Sequence, residues 1–309
     1  MVKYVFRRIV MMIPVLLGVS LIVFTLMYIT PGDPAALILG DGAPPEAVEQ
    51  LHKEMGLDDG FIIRFGRFLK DAVLHQALGT CYQTKQPVVE RIGEMFPNTL
   101  KLAAFSVTIA VVLGMVMGII SAVYQYSAFD NIAMTLAMIG NAMPNFWQGL
   151  LLMLLFALKL KWLPASGFSS FKYMILPAVT IGTSSAAAIS RMTRSSMLEV
   201  IRQDYITSAR AKGQTEFMIT MRHALKNALI PVITTIGMQF GNLLGGAVLT
   251  ESIFAVPGIG KMMVDAIKAR NFPVVQGGVL VVALAFSLVN LLVDILYAYI
   301  DPRIRSKYR

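Results

Sequence analysis

The sequence has little of the chemistry that most enzymes and metal proteins use. Among its 309 residues there is one cysteine, Cys81, so the chain has neither an internal disulfide nor a thiolate metal site. Its three histidines, His52, His75 and His223, are far apart in the sequence. Charged residues make up 15% of the chain, whereas an average soluble domain has roughly 25%. These shortages disfavour a metal centre and an ordinary soluble fold.

Two segments approach known catalytic patterns, and both fail at positions that the chemistry requires. Residues 255–262 contain a Gly-Lys pair after a turn, but Ala255 and Met262 stand where a phosphate-binding loop needs glycine and a hydroxyl group. Residues 182–186 lack the final glycine of the G-x-S-x-G nucleophile pattern. The zinc-protease pattern H-E-x-x-H does not occur in the sequence. We therefore expect no catalytic residue, no metal and no cofactor in this chain.

The sequence is rich in long apolar runs. Hydrophobic residues make up 56% of the chain, and its mean hydropathy is +0.66. Six runs have about the 17–25 residues that a helix needs to cross roughly 30 Å of hydrocarbon. The predicted spans are residues 9–29, 102–124, 131–158, 174–190, 228–250 and 274–300. We therefore predict an all-α polytopic membrane protein with six transmembrane helices.

The formal net charge of +9 is distributed unevenly over this topology. Basic residues precede the first span, at Lys3, Arg7 and Arg8, and dominate the tail at residues 301–309. Such an excess marks the cytoplasmic side of a membrane protein, so both ends are expected there. No basic patch is interleaved with aromatic residues, which disfavours nucleic acid as a partner. The first apolar run is longer than the core of a typical signal peptide, so residues 1–30 are expected to keep it as a span.

A long segment without a span, residues 31–97, follows the first transmembrane helix and is expected outside the cytoplasm. Its expected helices cover residues 44–55, closed by Gly56, and residues 61 to about 77. The aromatic side of the second helix could pack against the spans of this chain or rest on lipid head groups. The five later spans lie within residues 98–300 and form the expected transmembrane core.

Several polar residues lie at membrane depth, where they are costly and usually face water or one another. Pro144 is expected to kink the third span, and the fifth and sixth spans each have a polar stripe at helical spacing. The candidates for a translocation path are Asn141, Asn145, Thr235, Gln239, Asn242, Asn290 and Asp294. Hydrogen bonding between helices explains the same residues equally well. The one acid among them, Asp294, is too little for a proton relay.

The fifth span also has glycine at every fourth position, at Gly237, Gly241 and Gly245. This spacing keeps one side of the helix nearly free of side chains. We therefore expect another helix to pack closely against these three glycines.

The longest polar interval after residue 97 is residues 199–231, between the fourth and fifth spans. It cannot lie in lipid, and its basic residues place it in the cytoplasm. We expect a helix from about Gln203 to Lys212, ended by Gly213 in the left-handed conformation of a C-cap. Such a helix can hold a soluble partner. Because the chain has no ATP site, that partner has to bring any ATP.

The segment Asp204-Tyr-Ile-Thr-Ser-Ala-Arg-Ala-Lys-Gly213 resembles the cytoplasmic coupling loop of bacterial ABC importer permeases of the dipeptide/oligopeptide/nickel family. The other matches to this family are Arg7-Arg8, Pro31-Gly-Asp-Pro34, Arg191-Met-Thr-Arg-Ser-Ser-Met197, Ala224-Leu-Lys-Asn-Ala-Leu-Ile-Pro231, Pro257-Gly-Ile-Gly260 and Asp301-Pro-Arg-Ile-Arg305. They extend along the whole chain. One departure is that Thr207-Ser-Ala209 replaces the Glu-Ala-Ala of the general importer motif. Another is that Pro231 lies eighteen residues after Gly213, a longer form that also resembles this subfamily.

The resemblance implies a type I ABC importer permease fold in the bacterial cytoplasmic (inner) membrane, with a coupling loop at about residues 196–227. It implies a homologous second permease subunit, two cytoplasmic ATPase subunits that bind ATP and Mg, and an extracytoplasmic solute-binding protein. The residues that it implies for coupling to the ATPases are Glu199, Asp204, Tyr205, Ala209, Arg210, Ala211, Lys212 and Gly213.

The activity that the resemblance implies is ATP-driven import of di- or oligopeptides. The same machine could instead import nickel, glutathione or another small solute, although no cluster of His, Cys and carboxylate groups lines a predicted span. A less favoured alternative is a sensor subunit that responds to a binding protein without transport. That alternative leaves the polar stripes of the fifth and sixth spans without a role.

Overall fold

The computed structural model describes residues 2–40, 42–74 and 78–300. The α-helices in these residues are α1 (Val2–Ile29), α2 (Pro34–Leu39), α3 (Pro45–Met55), α4 (Phe61–Leu74), α5 (Val88–Val123), α6 (Ala128–Ala142), α7 (Asn145–Leu152), α8 (Phe171–Ile201), α9 (Asp204–Ala211), α10 (Glu216–Met218), α11 (Leu225–Gly246), α12 (Val248–Ile253), α13 (Ile259–Lys268) and α14 (Phe272–Ile300). The predicted all-α class is confirmed. Predictions for residues 75–77 and for the basic tail, residues 301–309, lie outside the described residues.

Two short π-helical segments extend this pattern. Met153–Lys159 continues α7, and Ile219–Ala224 leads from α10 into α11. In the described part of the chain, β-structure amounts to one isolated bridge between Thr80 and Pro87.

Five helical stretches are long and apolar enough to span a membrane: α1, α5, α8, α14, and α11 together with the segments just before it. The pair α6 and α7 passes the same test but is bent by 106°. The described residues thus contain six spans when the bent pair is counted as one, as the sequence predicts. Met143 has extended backbone at the bend, which is the usual conformation before a proline, and Pro144 has no N–H with which to continue α6. The predicted kink is therefore a complete break.

Two spans are longer than their predicted bounds. α5 has 36 residues and α8 has 31, which at 1.5 Å per residue gives lengths of about 54 Å and 46 Å. Both exceed the roughly 30 Å of hydrocarbon in a bilayer. α5 begins inside the segment predicted to be external, and α8 continues to Ile201 in the predicted cytoplasmic loop. Hydropathy identified only the parts of these helices that lie in lipid.

α5 and α8 pack more closely than side chains would allow. A Cβ atom on Gly114 would lie 2.8 Å from the carbonyl oxygen of Ala186, and one on Gly182 would lie 2.9 Å from that of Ser106. Gly118 is in a similar position, one helical turn after Gly114. These three glycines let the two helix backbones touch inside the membrane.

The external helix α4 packs against the outer end of α1 through aromatic rings. Phe24 of α1 contacts Phe61, Phe65 and Phe68 of α4 at ring-centroid distances of 5.4, 5.3 and 6.0 Å. Tyr28 contacts Phe61 at 5.2 Å. Of the two alternatives for this aromatic side, the structure therefore favours packing against a span of the same chain.

The glycine-rich turn at residues 257–260 leads into the start of α13. A side chain from α12 fills this turn. Glu251 is fully buried and accepts hydrogen bonds from Thr99 Oγ1 (2.7 Å) and from the backbone N–H of Lys261 (3.0 Å). A Cβ atom on Gly260 would lie 2.8 Å from the Glu251 carboxylate. The chain's own carboxylate thus fills the space inside this turn.

The substitution Gly118→Ala tests the close packing of α5 against α8. A Cβ atom there would lie 2.7 Å from the carbonyl oxygen of Ser190, and overpacking of this kind costs about 1–3 kcal/mol. Gly93→Ala, also on α5, is the matched control, because its Cβ atom would meet nothing within 4 Å. We expect Gly118→Ala to lower the midpoint of thermal unfolding in detergent and Gly93→Ala to leave it unchanged or raise it. Equal midpoints would contradict the packing.

Candidate coupling loop and transport path

The loop between the fourth and fifth spans is built on the short helix α9. The helix lies between Gln203 and Lys212, which are its N-cap and C-cap residues, as the sequence predicts. Gly213 follows with φ at +78°, in the left-handed region that glycine adopts without strain. Its N–H donates to the carbonyl oxygen of Arg210 at 2.9 Å. The chain therefore turns sharply after α9 and heads back towards the membrane.

One side of α9 is buried in this chain. Ile206 is fully covered and Ala209 is 8% exposed, and both belong to a cluster with Met197 of α8 and Ile219 before α11. The methyl group of Ala209 thus faces the core of its own chain, and its implied role in coupling to an ATPase stays a prediction. The other residues implied for coupling are exposed: Glu199, Asp204, Tyr205, Arg210, Ala211, Lys212 and Gly213.

Two polar contacts hold α9 to the segments that follow it. Asn227 Nδ2 donates to the Tyr205 hydroxyl at 2.7 Å, which ties α9 to the base of α11. The Arg210 guanidinium donates to both carboxylate oxygens of Glu216, at 2.7 and 3.2 Å. These hydrogen bonds to Glu216 raise the pKa of Arg210 above its ordinary value. α9 is therefore in direct contact with the base of α11 as well as with α8.

A group of exposed apolar side chains follows α9, and the sequence analysis did not single it out. Phe217 is 76% exposed, Met218 is 41% exposed and Met221 is 42% exposed. Exposed apolar groups of this kind commonly mark a contact surface for another protein. The sequence could have revealed this group, because an aromatic residue and two methionines are unusual in a loop predicted to lie in water.

A buried ion pair joins the cytoplasmic ends of two spans. Arg194 of α8 donates through Nε and through a terminal guanidinium nitrogen to the two carboxylate oxygens of Asp130 in α6, each at 2.7 Å. The Asp130 carboxylate is 2% exposed, and it also accepts from the backbone N–H of Tyr126 at 2.9 Å. This bidentate geometry fixes the start of α6 to the part of α8 that leads into the loop.

The path candidates form separate groups in the structure. Asn141 and Asn145 lie on either side of the break between α6 and α7. On α11, Asn242 is exposed and donates through Nδ2 to Gln239 Oε1 at 3.4 Å. These four residues present polar groups that helix packing does not bury.

Three other path candidates have contacts within the bundle. Thr235 is 7% exposed and donates to the carbonyl oxygen of Pro231, and its place on a path stays a prediction. Asp294 forms an ion pair with Arg8 of α1 at 2.9 Å, at the contact between α1 and α14, and its place on a path stays a prediction. Asn290 lies on α14 next to Gly241, where an added Cβ atom would be 3.7 Å from its Oδ1.

The glycine stripe of α11 has two positions against α14 and one without a partner. A Cβ atom on Gly237 would overlap the side chain of Val293, and one on Gly241 would lie 3.1 Å from Phe286. A Cβ atom on Gly245 would meet nothing within 4 Å, and the packing of a helix against this glycine stays a prediction. Across the described residues, no group of three or more His, Cys, Asp or Glu side chains is arranged to hold a metal ion.

Residues 114–306 match the family described as the inner membrane component of binding-protein-dependent transport systems, and residues 1–103 match the N-terminal family of such components. The chain belongs to this family. It is a multi-pass inner membrane protein and the permease component of its system, and is not itself an enzyme.

Curated relatives match the chain over nearly its full length. It is 43% identical over 333 residues to the dipeptide transport system permease protein DppB of Alkalihalophilus pseudofirmus, covering 99% of this chain and 100% of the relative. It is also 43% identical over 307 residues to the glutathione transport system permease protein GsiC of Pectobacterium atrosepticum, with coverages of 99% and 100%. A putative peptide transport system permease protein of Brucella abortus is 42% identical over 313 residues, with 99% of each chain covered.

Solved structures of similar fold are ABC transporters. An inward-facing form of the MetNI methionine ABC transporter matches with a TM-score of 0.57 at 16% identity, covering 69% of this chain and 97% of that chain. An amino acid ABC transporter with histidines matches with a TM-score of 0.53 at 15% identity, covering 70% and 94%. The fold is that of a type I ABC importer permease.

A double-mutant cycle on Asp130 and Arg194 tests the ion pair. Asp130→Asn leaves a largely buried guanidinium without its counter-charge, and breaking a buried pair of this kind costs about 3–5 kcal/mol. We expect each of Asp130→Asn and Arg194→Gln to lower thermal stability in detergent, and the double variant to lose less than the sum of both.

The control for this cycle is the exposed pair between Glu49 and Lys53 of α3, whose N–O distance is 2.8 Å. Glu49→Gln should leave the midpoint of thermal unfolding nearly unchanged, because water screens such a pair. Additive effects of the Asp130 and Arg194 substitutions would show that the two side chains do not stabilise each other.

Proposed function

We propose that this chain imports peptides as one of two permease subunits in an ATP-driven importer, and that α9 couples it to cytoplasmic ATPases. The observation that carries the coupling proposal is the two-sided character of α9. Its inner side, at Ile206 and Ala209, is fixed to the chain's own core. Its outer side presents exposed cations, and the exposed Phe217 follows close by. A soluble protein with an apolar cleft and an acidic rim fits this surface.

The cargo proposal rests on the chain's relatives. Two of them are named as dipeptide and peptide transport permeases, each at least 42% identical to this chain over 99% of its length. The polar residues that the bundle leaves uncovered, at the break between α6 and α7 and on α11, are neutral amides. Neutral amides can hydrogen-bond to peptide groups. Because they carry no charge, they bind a cargo weakly enough for it to be released.

The proposed mechanism moves α8 and α11 together. ATP draws two ATPase subunits towards each other, and each carries one docked loop with it. α8 continues without a break to Ile201, and Asn227 ties α9 to the base of α11, so both spans follow the loop. The path can open either to the outside or to the cytoplasm. Closure of the ATPase subunits can shift it from one state to the other only if ATP binds these two states with different affinity. An extracytoplasmic solute-binding protein delivers the cargo, and the ATPases hold ATP and Mg.

Glutathione is the second candidate cargo. The glutathione permease relative is as similar as the dipeptide permease relative, at 43% identity with 100% of its length covered. Glutathione is itself a small peptide, so the same neutral amides suit it. Uptake of labelled dipeptides in competition with glutathione separates the two cargoes.

The substitution Gly213→Pro tests coupling through the loop. Gly213 has φ at +78°, whereas proline is fixed near −65°, so the turn after α9 cannot form. In the reconstituted complex, we expect loss of both peptide uptake and the ATPase activity that loaded binding protein stimulates. Uptake and stimulated ATPase activity at wild-type levels would contradict the coupling role of this loop.

Gly213→Asn is the matched control for this substitution. Asparagine adopts the left-handed conformation more readily than other residues with a side chain, and a Cβ atom at this position meets nothing within 4 Å. We expect this variant to keep most of its uptake. If Gly213→Asn lost as much uptake as Gly213→Pro, the backbone conformation would not be the cause.

A further inference from the structure

One side of the external helix α4 is exposed and largely apolar. The exposed residues of α4 are Ile62, Ile63, Gly66, Arg67, Lys70, Val73 and Leu74. At about 100° per residue, all seven lie in one arc of about 140° around the helix. The four aliphatic side chains among them are, in chain order, 82, 59, 73 and 68% exposed. This aliphatic side is distinct from the aromatic side of α4, which packs against α1.

The aliphatic side carries positive charge and no acid. Arg67 and Lys70 lie on it, whereas the one acid of α4, Asp71, lies on another side of the helix. Arg67 is paired with Asp59, which precedes α4. Long cationic side chains can lie along apolar material and keep their charged ends among polar head groups. Exposed aliphatic groups next to cations are typical of a helix that lies in a membrane surface.

The contacts of α4 with α1 give its depth. Phe24, which touches three rings of α4, lies five residues before the end of α1 at Ile29. It is therefore about 7.5 Å inside that end, at 1.5 Å per residue. Tyr28 lies one turn further out, and the Arg64 guanidinium of α4 is 5.3 Å from the centroid of its ring. Tyrosine at the end of a span commonly lies at the level of the head groups.

A second contact, on the chain that follows α4, gives the same depth. A Cβ atom on Gly277 of α14 would lie 3.0 Å from the Cβ atom of Leu78. Gly277 comes five residues after α14 begins at Phe272, so this contact is also about 7.5 Å inside the end of a span. An interfacial helix buries its apolar side about 5–10 Å into the boundary between head groups and acyl chains. Both contacts place α4 at this boundary.

We propose that α4 is an interfacial helix whose aliphatic side inserts into the outer leaflet of the membrane, with phospholipid as its partner. The four aliphatic side chains contact the upper part of the acyl chains, and Arg67 and Lys70 reach towards phosphate groups. A soluble protein would dock above the head groups, whereas the aliphatic side lies level with Phe24. Seated in this way, α4 holds the external segment, residues 31–97, against the membrane surface. This contact is independent of the cargo that the importer carries.

Fluorescent bimane labels on single cysteines test the surroundings of the aliphatic side. Ile62→Cys and Val73→Cys place a thiol on this side, and Gln50→Cys on the external helix α3 is the matched control at another exposed position. Cys81 is buried, so the new thiols can be labelled selectively in a complex whose other subunits lack cysteine. The complex, without binding protein, is placed in nanodiscs of phosphatidylethanolamine and phosphatidylglycerol.

Two quenchers distinguish lipid from water. We expect a lipid with a doxyl group near its head group to quench Ile62→Cys and Val73→Cys several-fold more than Gln50→Cys. Iodide, which stays in water, should show the opposite order. Ile63→Asp combined with Leu74→Asp should reduce the doxyl quenching of Ile62→Cys to about half or less, since carboxylates are costly against acyl chains. Ile63→Val combined with Leu74→Met is the apolar control and should leave the quenching unchanged.

Two outcomes would overturn the inference. Equal quenching by iodide at all three positions, without quenching by the doxyl lipid, would show that the aliphatic side lies in water. Protection of Ile62→Cys and Val73→Cys from both quenchers would show that a protein, such as a second permease subunit, covers this side instead.

Discussion

Two long spans, α5 and α8, lie backbone against backbone at Gly114, Gly118 and Gly182. α6 and α11 pack on this pair, α14 packs on α11, and α1 packs on α14. Lipid gives helices no hydrophobic reason to associate, so contact of this kind has to come from close packing and from polar contacts. At the cytoplasmic end, Arg194 of α8 also binds Asp130 at the start of α6, with both hydrogen bonds at 2.7 Å. α8 thus contacts α5 through glycines and the start of α6 through an ion pair.

The position of the cytoplasmic loop, residues 199–231, is set by its contacts with α8. α8 extends beyond the hydrocarbon and reaches Ile201, only three residues before α9 begins. The inner side of α9 packs on the end of α8, and Asn227 adds a tie to the base of α11. A soluble partner that moves the loop therefore moves packed spans rather than a flexible linker.

Much of the fold could be predicted, because the bilayer constrains it strongly. Apolar runs of the right length predicted six spans. Within the polar interval 199–231, the position of Gly213 predicted α9 and the left-handed turn at its end. Contacts between distant residues could not be predicted in this way. Arg194 and Asp130 are 64 residues apart, and Asp294 of the last span pairs with Arg8 of the first. The inward side of α9 was also missed, since an eight-residue helix is too short for periodicity to show that Ala209 is buried.

The most direct test of the account is cross-linking of the loop to the ATPase subunits. Cys81 is the chain's one cysteine and is buried, so a new exposed cysteine can be labelled selectively. Lys212→Cys places a thiol on the exposed side of the loop, and Gln50→Cys places one on the external helix α3 as a control. In the assembled complex, a thiol–amine cross-linker should join Lys212→Cys to an ATPase subunit, and the yield of this adduct should change on addition of ATP. The same reagent should not join Gln50→Cys to an ATPase subunit. If the complex hydrolyses ATP while neither thiol gives an ATPase adduct, the coupling role of this loop is contradicted.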